Sequence, residues 1–489
     1  MMGKLNLSSP VPAVLAALLI AASLWVLQGA RAGVEITGGA VGATPVTTFA
    51  KPGADGPHVV VAHGFAGSRQ MMQGYALPLA RSGYRVHVFD FLGHGRHTLP
   101  MSGDVSVIEG TTRRLMDQTS AVIDAVADPG VPVALMGHSM ATDVLVRVAA
   151  ERDDIGPMVL ISAFSQAIDA QHPRQLLLVT GAWEAGLRGY AVEAAQMVAA
   201  DTQEGGLAVN GDVERRAVAA PWAEHVAVLH SRAGRAAAVE WLDAAYDRES
   251  APRIWHTGWG ILGLLAGLVL LFGPMAKRLP QTAPPHTQRL TRTRLAVASL
   301  LPALAAPLLA VPLNPNLLPV LVADYLALHL AIFGIIQLVL LRRWGVPLGG
   351  LSLAGFALLL LWCAAFGFAM DRYAANFWPV GQRVWIIAAI AIGAVPYMLA
   401  DAALMRGAPV LHRLATRGGF IASLGLAVAL DFSGLFFLLM IAPVIVLFYL
   451  TFGTMGRQAA ARIGPLAPGL ALGLVLAWAL GVSFPLFQS

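Results

Sequence analysis

A single cysteine, Cys363, is all the thiol chemistry this chain has. It lies inside an apolar run, so an intramolecular disulfide and a thiolate metal cluster are both excluded. Charge is scarce as well. Asp, Glu, Lys and Arg make up 12% of the 489 residues, where a soluble globular chain carries about a quarter. The shortage is uneven. Residues 33 to 250 have ordinary polarity, whereas residues 255 to 489 are a succession of long apolar runs, which divides the chain into a soluble part and a membrane part. The formal charge of +5 does not point to nucleic acid, because the arginines cluster between apolar runs instead of forming one basic face. No convincing internal repeat and no long low-complexity tract are present.

The amino-terminal segment, residues 1–32, holds an apolar run from Val11 to Leu27 behind Lys4. Ala30-Arg31-Ala32 resembles a signal-peptidase site, but the run is longer than a usual signal core and is read as a signal anchor. Either reading carries residue 33 onward across the membrane. Through 33–250, strands are expected at Val34 to Thr37, Val46 to Phe49, His58 to Ala62, Tyr84 to Phe89, Val131 to Met136, Met158 to Ile161, Gln175 to Val179 and Arg215 to Ala219. Helices are expected at Gln70 to Arg81, Ile108 to Val126, Thr142 to Arg152, Tyr190 to Ala200 and Arg232 to Tyr246. This alternation predicts an α/β fold of three layers with a mostly parallel sheet.

One strand runs into Gly137-His138-Ser139-Met140-Ala141, with a helix after it. A serine between small residues at a strand-to-helix turn is how a nucleophile elbow is built, because the turn is too tight for bulk two residues either side. Ala141 replaces the usual second glycine at the cost of one methyl. Chance alone supplies roughly one such pattern in a chain of this composition, so its weight comes from its surroundings. These are a His63-Gly64-Phe65 turn after a strand, an Asp90…Gly93-His94-Gly95 loop after another, an acid past a later strand and a histidine before the last helix.

Taken together, these features resemble the α/β-hydrolase family over roughly residues 34 to 248. The resemblance implies Ser139 as nucleophile, His225 as base and Glu184 as the acid that orients the imidazole, with backbone N–H groups of Phe65 and Met140 as the oxyanion hole. His230 is the competing base and Asp169 the competing acid. Asp90 and His94 match a family loop that is generally structural. A seat for metal at Asp90, His94 and His97 is not favoured, and no metal or cofactor is expected. Only about a dozen residues separate Ile161 from Gln175, where many family members insert a helical cap. The site is therefore expected to be uncapped and open, which suits bulky or lipid-like acyl substrates.

In 251–489, about eight spans are expected, centred near residues 265, 304, 330, 359, 394, 424, 443 and 475. Basic residues fall in alternate loops: Lys277, Arg278, Arg289, Arg292 and Arg294; Arg342 and Arg343; Arg406, Arg413 and Arg417; Arg457 and Arg462. The other loops hold only Arg372 and Arg383. The positive-inside rule then makes the first set cytoplasmic and residues 33 to 255 extracytoplasmic, as expected of a multi-pass protein of a plasma (bacterial inner) membrane. Asp324 and His329, within or at the edge of a span, are the candidate intramembrane polar site. Asp401 and Asp431 fall near span ends.

The reading that follows is a membrane-bound serine hydrolase that cleaves acyl esters or thioesters outside the cytoplasm, with the lipid bilayer as surroundings. One alternative is an acyltransferase with the same triad. The other, from a different class, is a transporter or signalling protein whose α/β domain only binds ligand. A complete Ser-acid-His set argues against that last alternative.

Overall fold

The computed structural model describes residues 10–104, 108–283, 290–315 and 317–488. Lys4 and Arg289, used above to orient the chain, lie outside the described residues.

A first helix, α1 (Val11–Arg31), precedes an α/β unit. In order this unit contains β1 (Glu35–Val41), β2 (Thr44–Ala50), β3 (His58–Ala62), α2 (Gln73–Arg81), β4 (Arg85–Phe89), α3 (Arg113–Val126), β5 (Val133–His138), α4 (Met140–Ala150), β6 (Ile155–Ile161), β7 (Gln175–Gly181), α5 (Ala185–Gln196), β8 (Leu207–Asn210), β9 (Val213–Ala220) and α6 (Arg232–Ala245). The nine strands form one sheet in the order β1-β2-β4-β3-β5-β6-β7-β9-β8. Its middle, β4 to β9, is parallel, and antiparallel pairings occur only at β1–β2, β2–β4 and β8–β9. This is the expected mostly parallel, three-layer arrangement.

Side chains alternate across a strand, and both faces of this sheet are covered. On β3, Val59 and Val61 pack with α2 and α6, while Val60 and Ala62 pack with α3, α4 and α5. That is why the central strands read as unbroken apolar runs. Differences from the sequence expectation fall at element ends. The helix expected from Ile108 opens as an irregular turn with Gly110 outside helical geometry, and regular helix starts at Arg113. The helix expected at Tyr190 begins at Ala185, directly after Glu184. The edge strand β8 lies outside the sequence expectation: its four residues, Leu207 to Asn210, are too few to show a period, and of them only Ala208 is buried in the core.

Beyond the α/β unit come α7 (Thr257–Ala276), α8 (Arg292–Leu313), α9 (Ala323–Arg343), α10 (Leu353–Tyr373), α11 (Arg383–Met405), α12 (Val410–Leu430), the one-turn α13 (Phe432–Leu435), α14 (Leu438–Ile463) and α15 (Leu466–Ser483). Among the described residues nine helices, α1 and eight of these, are long and apolar enough to cross a membrane. Packing between them uses small residues, which let helix backbones approach closely. A Cβ at Gly469 or Gly473 of α15 would come within 2.7 Å or 2.6 Å of α11 backbone atoms. Arg417 and Arg457, expected in loops, lie inside α12 and α14. Arg417 pairs there with Asp401 at 2.7 Å, so it is a buried ion pair instead of a free loop charge. Asp431 caps α13 by accepting from the Gly434 N–H.

One end of this bundle is built onto the α/β unit. Asn376, between α10 and α11, donates its N–H to Ser68 Oγ (3.0 Å) and its Nδ2 to the Gly95 carbonyl. Arg383, 1% exposed, donates to the Gly93 carbonyl at 2.8 Å and also to the carbonyls of Gly481 and Phe484. The carboxyl-terminal residues Leu486–Gln488 run beside Gly93 and Met101, with Leu486 N–H donating to Gly93 and Met101 N–H to Leu486, both at 2.8 Å.

Candidate active site

The site forms at the carboxyl ends of the parallel strands. Ser139 joins β5 to α4 with φ 54° and ψ −120°, a strained conformation for a residue with a Cβ and the one a nucleophile elbow imposes. The flanking small residues have a steric reason. A Cβ at Gly137 would lie 2.6 Å from Leu145 Cδ1 and 3.2 Å from the Ala141 methyl. Ala141 itself is fully buried, so the turn has room for one methyl but not for two.

His225 follows β9, and its Nε2 lies 2.9 Å from Ser139 Oγ. Its Nδ1 lies 2.6 Å from Glu184 Oε1. An ionised carboxylate only accepts, so Nδ1 carries the proton and Nε2 is left to accept from the serine. Glu184 sits just before α5 with its side chain largely buried. Burial by itself raises its pKa. Hydrogen bonds from His225, from Ser162 Oγ (2.6 Å) and from the Gly181 N–H (2.7 Å) outweigh burial and hold the carboxyl below its ordinary value. The group is therefore a carboxylate at neutral pH.

The two residues kept as competitors are elsewhere. Asp169 accepts from the N–H groups of Gln171 and His172 and closes a local turn. His230 is half-buried against Gly74 and Gly258 with its Nδ1 out of reach of solvent, and desolvation, with Arg235 beside it, pushes its pKa down to about 4.

Opposite Ser139 stands the turn after β3. Gly64 packs so closely that a Cβ there would be 2.9 Å from Ser139 Cβ and 3.0 Å from His138 Nδ1. His63 is buried, accepts from the Phe91 N–H and donates from Nδ1 to the Gly64 carbonyl at 2.8 Å. Among the described residues, the N–H groups of Phe65 and Met140 have no protein acceptor. Met140 is the first residue of α4, where a helix leaves its N–H groups unpaired. Asp90 is fully buried and accepts from the N–H groups of Arg69 and Arg96. His94 donates to the Leu92 carbonyl, and His97 accepts from the Leu99 N–H. These three side chains hold their own loop together.

Sequence reasoning missed several neighbours. Ser162, at φ 50°, supplies the second side-chain bond to Glu184. His138 is more than a filler of the elbow: its Nε2 bonds the His225 carbonyl at 2.8 Å and so fixes the loop carrying that residue. Burial, and then the nearby His225, pushes the His138 pKa down to about 4. Only the signal "polar residue at the end of a parallel strand" could have flagged either. Asp324 and His329 are far along the chain's other half and have separate local partners. Asp324 accepts from the Leu318 N–H, while His329 bonds Tyr325 and Ser423.

A pocket of about 570 Å³ opens over Ser139 and His225, with Phe65, Met101, Leu115 and Val144 on its apolar side. Asp143 and Arg147, paired at 2.8 Å, and Gln166 make its polar side. No helix is inserted between β6 and β7, as expected of an uncapped site. The opening is nonetheless partly walled by the bundle, since Phe437 and Phe487 pack on Phe65 with ring centroids 5.4 Å and 6.4 Å away. A larger cavity of about 910 Å³ lies at the other end of the bundle among Arg292, Trp344, Arg406 and His412, remote from the Ser139 site.

Residues 55–209 match the family model of serine aminopeptidase, S33. That stretch contains Ser139 and Glu184 and stops short of His225. No curated protein matches the chain. Similar solved structures include a CIB-like hydrolase from Thermoplasma acidophilum, 16% identical, covering 43% of this chain and 98% of that one with a TM-score of 0.35. A dienelactone hydrolase from Anabaena variabilis is 18% identical over 44% of this chain and 99% of its own, at 0.32. A membrane phospholipase A, described as a bacterial virulence factor, is 15% identical over 50% and 94%, at 0.33. The chain thus carries an α/β-hydrolase fold, matched over residues 55–209 to the serine aminopeptidase S33 family and continued by a helical region with helices long and apolar enough to span a membrane.

Proposed function

We propose that this protein is a membrane-bound serine hydrolase that cleaves carboxylic or thioesters outside the cytoplasm. The observation that carries the reading is the unbroken hydrogen-bonded line from Ser139 Oγ through His225 to Glu184. In the first half-reaction Ser139 Oγ attacks the acyl carbon and its proton passes to His225 Nε2. The oxyanion that forms is held by the N–H groups of Phe65 and Met140. The alcohol or thiol leaves with the proton from Nε2, and the acyl group stays on Ser139. Water then gives a proton to Nε2, attacks the acyl-enzyme and releases the acid, and Ser139 recovers its proton. Glu184, ionised throughout, stabilises the imidazolium at each step.

Orientation is argued from charge. The α7–α8 connection, the ends of α9 and α11, and the last turn of α14 carry Lys277, Arg278, Arg292, Arg294, Arg342, Arg343, Arg406 and Arg462, all at the bundle end away from the α/β unit. By the positive-inside rule that end is cytoplasmic, which supports an extracytoplasmic Ser139. The test is labelling by an impermeant fluorophosphonate in intact cells, after any outer barrier is opened, followed by ester profiling of the purified protein. Ser139 should be labelled and Ser139→Ala should not. Labelling only after the plasma membrane is broken would overturn the sidedness, and undiminished ester hydrolysis by Ser139→Ala would overturn the mechanism.

A further inference from the structure

The pocket wall does not end at the α/β unit. Phe65, half-buried on the pocket's apolar side, packs on Phe437 at 5.4 Å; Phe437 packs on Phe436 at 6.0 Å, and Phe436 on Phe432 at 5.5 Å. Exposure rises along this row, to 43% at Phe436 and 64% at Phe432. The row belongs to α13 and its exit, the short break between α12 and α14, two of the helices fit to cross a membrane. Its outer members continue into Leu430, Leu439 and Met440, which are also exposed at the ends of those two helices. A run of bare phenylalanines facing water would be unfavourable, whereas at a bilayer surface the same run is in contact with acyl chains.

We infer that the substrate is an acyl ester resident in the bilayer, a glycerolipid, whose chain reaches Ser139 laterally along Phe432, Phe436 and Phe437 without passing through water. Each methylene drawn into water carries a fixed free-energy cost, so a long chain leaves a bilayer only where apolar surface is continuous. The aromatic row provides that continuity. The Asp143–Arg147 pair and Gln166, which supply the pocket's polar lining, take the polar part of the lipid. The inference rests on the ester-hydrolase reading above and adds the phase in which the substrate resides and its route to the site.

The full chain is reconstituted in vesicles of a non-hydrolysable ether phospholipid doped with a fluorogenic diacyl glycerophospholipid, alongside a soluble p-nitrophenyl ester. Lipid hydrolysis should follow the mole fraction of probe in the bilayer and be independent of its total concentration. In the double variant Phe432→Ser/Phe436→Ser, the ratio of lipid to soluble-ester turnover should fall at least tenfold. Phe432→Trp/Phe436→Trp, which keeps the surface apolar, should restore most of it. Soluble-ester hydrolysis that needs Ser139, with a lipid rate absent or a ratio unmoved in the serine double variant, overturns this inference and leaves the hydrolase reading standing. Absence of Ser139-dependent turnover of either substrate overturns both.

Discussion

Replacing Glu184 by glutamine separates charge from shape at the site. Three donors converge on the two oxygens of Glu184: His225 Nδ1–H on Oε1, and Ser162 Oγ–H and Gly181 N–H on Oε2. A glutamine has one oxygen and one NH₂ for the same three donors. With its oxygen toward His225, its NH₂ meets the Gly181 N–H, leaving a buried donor unpaired at a cost of about 1–3 kcal/mol. With its oxygen toward Gly181, the NH₂ faces Nδ1, which must then accept, and Nε2 carries the proton where it must take one from Ser139. Either way the carboxylate charge is gone from beside the imidazolium that forms in the transition state. At a charge separation of about 4 Å and an effective dielectric constant of about 20, that interaction is worth about 4 kcal/mol. This corresponds to about 10³-fold in rate. Glu184→Gln should therefore lower kcat for a soluble p-nitrophenyl ester by about 10³-fold, with KM changed far less. Glu184→Asp keeps the charge but falls short of His225 by one methylene, and should lose less. A Glu184→Gln enzyme retaining a tenth or more of wild-type kcat would refute the role assigned to this acid.

Gly64→Ala sets a methyl against Ser139 Cβ and the His138 ring; kcat should drop by about 10²-fold through displaced geometry, while a thermal melt in detergent moves only slightly, and normal kcat would show that the turn has slack. His138 and His230 both have pKa values pushed from about 6.5 to about 4, so the unfolded chain binds their protons first. Stability is then full above pH 6.5 and declines as pH falls toward 4, by about 3 kcal/mol for each at pH 4; melting temperatures that stay level between pH 7 and pH 4.5 would contradict this, and His230→Gln should make the decline shallower. Arg383→Met removes the donors to Gly93, Gly481 and Phe484; Gly93 keeps its bond from the Leu486 N–H, and the Gly481 and Phe484 carbonyls left without that donor should cost about 2–5 kcal/mol together. The substitution should also slow fluorophosphonate labelling, with partial recovery in Arg383→Lys; a variant that matches wild type in both measurements would show the bundle contact to be incidental.

The sequence by itself determined the features governed by local periodicity and by composition. Unbroken apolar runs such as Val59–Ala62 and Leu176–Val179, alternating with amphipathic helical stretches, are what a parallel sheet covered on both faces requires. The small residues around Ser139, taken with the His63-Gly64-Phe65 turn and the order of the later acid and histidine, mark the elbow, because the turn's steric limit acts on adjacent residues. Runs of about twenty apolar residues likewise mark helices long and apolar enough to span a membrane without any tertiary information. Tertiary structure decided what depends on pairs distant in sequence. Whether Glu184 or Asp169, and His225 or His230, stand beside Ser139 depends on loop geometry, which side-chain identity does not encode. The partners of Glu184 and His225 came from there as well, since a serine like Ser162 or a histidine like His138 carries no periodic signal. The largest such contribution is the bundle's. That Asn376, Phe437 and Phe487 complete the surroundings of the turn at His63–Ser68, and Arg383 and Leu486–Gln488 those of the loop at Gly93–Met101, is a matter of packing across about 300 to 400 residues of chain, and only the folded arrangement of helices brings such distant residues into contact.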